Sequence, residues 1–102
     1  MIRARFRFSS ADSAAFVIEG HAGYKPAGED IVCAAVSSAA YMTVNTLTEV
    51  FGVDAEASEE DGKLVCSFSG SFEAVRLLKG LRLHLEQLQE QYPKHVKVTT
   101  EV

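Results

Sequence analysis

Residues 2–8 alternate without a break: Ile2, Ala4, Phe6 and Phe8 point one way, Arg3, Arg5 and Arg7 the other. A period of two predicts a strand with one buried face. Ser9 to Asp12 are turn residues. Ala15 to Glu19, with Phe16, Val17 and Ile18, predict a second strand, paired to the first as a hairpin. Gly20 ends it. The pattern then lapses over 21–30, where Gly23, Pro26 and Gly28 mark a loop.

From Ile31 the period lengthens. Val36, Ala40, Val44, Leu47 and Phe51 recur at three and four, predicting a helix closed by Gly52 as its C′ residue. Asp30 suits the N-cap. Ala34, Ala35, Ser37, Ser38, Ala39 and Ala40 make an unusually small block, which lets a helix lie close to a neighbouring backbone. Val53, Ala55 and Ala57 alternate with Asp54, Glu56 and Ser58 as a third strand. Asp61-Gly62 is a hairpin signal, and Leu64, Cys66 and Phe68 face inward on a fourth strand. A second helix starts after Ser71 and buries Val75, Leu78, Leu81, Leu85, Leu88 and Tyr92 before Pro93 stops it. Gly80 in its middle costs about 1 kcal/mol against Ala and predicts close packing there. Val96, Val98, Thr100 and Val102 alternate in a closing strand. The order ββαββαβ predicts an α+β fold, with two helices packed on a mostly antiparallel sheet.

The 102 residues make one domain, 1–102, long enough to bury a core without staples. No apolar run approaches the ~20 residues of a membrane span. The start, MIRARFRF, lacks the apolar block of a signal peptide, so a cytoplasmic protein without membrane contact is expected. Two cysteines there argue against a disulfide, and no Cys/His spacing suggests a structural zinc site. Neither a metal nor an organic cofactor is expected. The net charge of −4 argues against nucleic acid as a partner. Asp54, Glu56, Glu59, Glu60 and Asp61 have no compensating base among them and read as a solvated face.

The candidate chemistry lies in Gly20–Ser38. Cys33 is the third helical residue if Asp30 is the cap, a place where unpaired N–H groups and the helix dipole favour a thiolate. His21 is twelve positions earlier on a glycine-containing loop, and folding that loop back on the helix start costs little. A Cys–His pair is the minimal thiol-hydrolase apparatus, and the helix N-terminus can donate N–H groups to an oxyanion. Each residue also has a plain reading: a small buried thiol, a loop histidine. Asp30 either only caps the helix or also orients His21. Cys66 reads as core, His84 as a partly buried packing residue and His95 as exposed. A phosphate-binding loop fails, because no GK[ST] follows and Glu29 and Asp30 would repel an anion. A non-enzymatic interaction module is the remaining rival.

Gly20-His21-Ala22, the run Gly28-Glu29-Asp30-Ile31-Val32-Cys33-Ala34, Ser37 and the Val44-Asn45 pair resemble the ribosomal-processing cysteine proteases (Prp). The resemblance implies a bacterial endopeptidase that trims the N-terminal extension of large-subunit ribosomal protein twenty-seven and so supports ribosome assembly. It implies Cys33 as nucleophile and His21 as base, with Asp30 and Ser37 supporting. Gly20, Ala22, Gly23, Tyr24 and Gly28 would belong to a substrate loop that orders around the peptide. It also implies a homodimer, a ribosomal protein precursor as peptide substrate, and an apolar pocket beside Cys33 for an aromatic pair next to the cut. The alternative under the same resemblance is a non-enzymatic ribosome-associated assembly factor.

Overall fold

The computed structural model describes residues 1–20 and 31–101. Strands β1 (Ile2–Ser10) and β2 (Ser13–Glu19) precede helix α1 (Ile31–Asn45), which runs into a π-helical turn, Thr46–Val50. Strands β3 (Glu56–Glu60) and β4 (Lys63–Phe68), helix α2 (Phe72–Gln91) and strand β5 (Val96–Glu101) complete the expected ββαββαβ order. One five-stranded sheet forms in the order β3-β4-β2-β1-β5. Every pair is antiparallel except β1 with β5, so the sheet is mixed and mostly antiparallel.

Strand alternation decides which face is covered. Ile2, Ala4, Phe6, Ala14, Phe16 and Ile18 are buried under the helices, while Arg3, Arg5 and Arg7 face solvent. On that open face Arg5 pairs with Glu19 at 2.8 Å and Arg7 with Glu101 at 3.1 Å. Both pairs are solvated and add little stability. Helix α2 starts as its sequence requires: the Ser71 hydroxyl accepts the Ala74 N–H at 3.1 Å. Its Ala74, Val75, Leu78, Leu81, Leu85 and Leu88 are buried. At the far end the Gln89 side chain accepts the Val98 N–H at 2.6 Å and ties the helix to the edge strand β5. Asp61 (φ 39°) and Gly62 (φ 77°) both take the left-handed conformation of a type I′ hairpin.

Several expectations need correcting. The first helix is not α-helical to Phe51. Thr46 and Thr48 hydroxyls bond the carbonyls of Met42 and Val44, the acceptors their own N–H groups would use in an α-helix. That competition accompanies the wider turn, and Phe51 N–H bonds Thr46 O at 2.9 Å. The buried stripe therefore runs through Val32, Val36, Ala40, Thr43 and Leu47, with Val44 only half-buried and Phe51 exposed. Thr43 is buried at no polar cost because its hydroxyl donates to Ala39 O at 2.8 Å. The same back-bonding hides polar groups in Ile31–Val50, which is long and apolar enough to match a membrane span by length and composition, contrary to expectation. In this fold Val32, Val36, Ala40 and Leu47 bury one side of it in the core.

The third strand covers Glu56–Glu60 rather than 53–58. The Ala55 N–H bonds Val53 O at 3.0 Å, a tight bend that keeps Val53 and Ala55 against the core outside the strand. All of β3 is exposed because it is an edge strand, Ala57 included. His84 is exposed, because the helix turns it to the rim of the groove between α1 and α2. His95 is half-buried, because its carbonyl accepts the Ile2 N–H at 2.8 Å where β5 joins β1. Gly80 is not a packing glycine: a Cβ there meets nothing within 4 Å. It faces the open groove between the helices. Gly80→Ala is therefore expected to raise stability by about 0.5–1 kcal/mol. Urea unfolding measures this, and a loss of stability would restore the close-packing explanation.

Candidate active site

Strand β2 ends where the chain must leave the sheet, and Gly20 makes that exit. Its φ is +97°, and a Cβ there would run into the Met1 carbonyl oxygen. Glycine is required on both counts. The Gly20 N–H donates to the Gly62 carbonyl at 3.1 Å, which joins the exit point to the tip of the β3–β4 hairpin. His21 comes next in the chain. His21, Ala22, Gly23, Tyr24, Gly28 and Asp30 lie outside the described residues.

Cys33 is the third residue of α1, half-buried and packed against the core. Backbone N–H groups and the positive end of the helix dipole are concentrated in this first turn. Ser37 and Tyr41 follow at successive four-residue steps, so the three side chains share one helix face. That face walls a cleft of about 130 Å³. Ile2, Ile18 and Leu64 of the sheet and Val36 and Ala40 of α1 make it apolar inside. Gly20 and Gly62 lie along its edge, with Glu59 and Lys63 of the hairpin.

Tyr41 closes this arrangement by donating its hydroxyl to the Glu59 carboxylate. The bond to Glu59 pushes the tyrosine pKa up, with desolvation and the charge of Glu59 acting the same way. The second thiol is different in kind. Cys66 lies fully buried on β4, and burial pushes its pKa up. Neither cysteine is in a disulfide. Among the described residues no three His, Cys, Asp or Glu side chains converge as a metal-binding group.

Of the residues singled out in the sequence, Gly20, Cys33 and Ser37 line one cleft. Tyr41, Glu59, Gly62 and Lys63 were not anticipated there. Tyr41 was within reach of sequence reasoning, because it repeats the Cys33–Ser37 spacing once more. Glu59 was not: it belongs to an acidic stretch that reads as solvated, and only the sheet order brings it near α1.

Known proteins resemble this chain in sequence and in fold. The family model described as cysteine protease Prp matches residues 1–97. The ribosomal processing cysteine protease Prp of Bacillus subtilis (strain 168) is 28% identical over 95 residues, 85% of each chain. A crystal structure of the essential ribosomal processing protease Prp from S. aureus, with a covalently linked product peptide, superposes with a TM-score of 0.87. The identity is 22%, and the match covers 99% of this chain and 100% of that one. The same S. aureus protease with a substrate peptide gives 0.81 at 21% identity, with coverage of 99% and 100%. At these identities the solved structures establish a shared fold.

The two thiols differ enough in exposure to be separated by a reagent. Cys66 must wait for the core to open, a state of fractional population on the order of 10⁻³ or less. Iodoacetamide at neutral pH is expected to label Cys33 at least about 10³-fold faster than Cys66. Peptide mapping over time reads the two rates, and comparable rates would remove the distinction.

Proposed function

This chain belongs to the cysteine protease Prp family, and we propose that it removes the N-terminal extension of large-subunit ribosomal protein twenty-seven. Cys33 is the nucleophile and His21 the general base. The observation that carries this reading is one cleft lined by both Cys33 and Gly20, the residue immediately before His21. The Cys33 thiolate attacks the scissile carbonyl carbon, and N–H groups in the first turn of α1 stabilise the oxyanion. The C–N bond then breaks and the leaving amine takes its proton from His21. Water, deprotonated by His21, hydrolyses the thioester and regenerates the thiol. Ser37 flanks the nucleophile one turn along, and Asp30 is assigned a supporting role.

The cleft supports the choice of substrate. Its volume of about 130 Å³ is close to the roughly 150 Å³ of an apolar cavity that takes a benzene ring. An aromatic side chain beside the cut fits such a space. Names and contents of the relatives point the same way: the Bacillus protein is a ribosomal processing protease, and the S. aureus protein has been solved with substrate and product peptides. A net charge of −4 favours encounter with a basic ribosomal protein. Ribosomal proteins are made in the cytoplasm, and the reaction belongs there.

Incubation with the extended precursor, followed by mass measurement, is expected to show loss of the extension as one N-terminal fragment. Cys33→Ala should lower the rate by about 10³-fold or more, and His21→Ala comparably, with the far-ultraviolet dichroism of the folded chain retained. Normal processing by Cys33→Ala would overturn the assignment.

A further inference from the structure

The hydrogen bond between Tyr41 and Glu59 joins the two walls of the cleft. Tyr41 lies eight residues beyond Cys33 on the same face of α1, about 12 Å along the helix axis. Glu59 is on β3, the edge strand, which is exposed throughout and pairs only with β4. An edge strand with so little burial, bonded on one side alone, is the part of a sheet that shifts most readily, whereas β4 is held to β2 along its whole length. Both residues line the cleft that holds Cys33, and so does Lys63 from the other strand of the hairpin. A charge-assisted bond at this place has a geometric consequence beyond its own strength: it sets how far β3 stands from the helix.

We propose that Tyr41 and Glu59 are positioning residues for specificity, a latch between α1 and the edge strand β3 that sets the width of the apolar cleft beside Cys33. Latched, the cleft accepts a planar aromatic side chain of the peptide and grips it on both faces. A smaller aliphatic side chain at that position leaves the cleft underfilled and loses contacts. Unlatched, β3 shifts at the edge of the sheet, the aromatic residue is gripped less well, and the advantage over the smaller one shrinks. This inference rests on the protease reading, and it concerns which peptide is preferred rather than whether a bond is cut.

The test uses blocked octapeptides spanning the cut, with each aromatic residue replaced in turn by valine. The ratio of kcat/KM for the aromatic over the valine peptide is the readout, because general destabilisation or loss of active enzyme cancels from it. Tyr41→Phe keeps the ring and removes the donor; Glu59→Ala removes the acceptor. Each is expected to lower the ratio by about 3–10-fold at one peptide position and leave it unchanged at the others. Glu59→Gln keeps a side-chain carbonyl that can accept from Tyr41 and is expected to keep at least half of the wild-type ratio. The same peptides are also measured by equilibrium binding to the Cys33→Ala protein, alone and combined with each latch variant, so the preference is read without turnover. Binding with the expected preference but no cleavage by the wild-type chain overturns the protease reading and upholds the latch. Ratios unchanged by Tyr41→Phe and Glu59→Ala, or no aromatic preference in either assay, overturn the latch.

Discussion

Phe6 and Phe16 are cross-strand partners on β1 and β2, with ring centroids 5.8 Å apart, and both are almost wholly buried. The rest of the fold is arranged to keep that pair dry. These strands occupy the middle of the sheet, so the rings must be covered by helices, while the opposite face carries Arg3, Arg5 and Arg7 beside the half-buried Ala15, Val17 and Val65. Leu78 and Leu85 of α2 and Val36 and Leu47 of the first helical segment complete the same core. Where the cover thins, cations take over: Phe8 is half-buried beneath Arg82, whose guanidinium lies 4.9 Å from its ring centroid.

That requirement shapes the site. Helix α1 has to present Val32, Val36 and Ala40 to the core, at four-residue steps. Cys33, Ser37 and Tyr41 each follow one of them by a single residue, a rotation of about 100° around the axis. They fall at the edge of the contact rather than under it or opposite it. A half-buried thiol is the outcome, shielded on one side by the core and open on the other to the cleft. The cleft-lining face of α1 is thus the flank of its packing face, and the register of one sets the register of the other.

Much of this was legible from local pattern. Alternation in residues 2–8, the Ser71 cap, the Asp61-Gly62 hairpin and the buried Cys66 each depend on a few neighbouring residues, and each is present. The motif around Cys33 was legible for the same reason. What escaped depends on competition or on distance along the chain. The π-helical turn arises where threonine hydroxyls compete for carbonyls that helix periodicity assigns to the backbone. The exposure of Gly80 follows from the gap left between two helices, which neither helix encodes alone. Tyr41 and Glu59 meet only because β3 lands on the sheet edge beside α1, eighteen residues of separation that no periodicity spans.

The acidic stretch shows why a bland reading of charge can be right and still incomplete. Glu56, Glu60 and Asp61 are exposed on an edge hairpin, as solvated side chains should be, and charge on an edge strand discourages pairing with another chain. Glu59 shares that exposure and that strand, yet its carboxylate holds the Tyr41 hydroxyl across the cleft. The difference is one of register. On a strand, successive side chains alternate between the two faces, so Glu59 and Glu60 cannot both reach toward the helical layer. A hairpin shifted by one residue would send Glu60 toward α1 and turn Glu59 to the open face. The type I′ turn at Asp61-Gly62 excludes that shift by pairing Glu60 with Lys63 and Glu59 with Leu64. A turn at the sheet edge therefore decides which carboxylate faces the thiol's cleft.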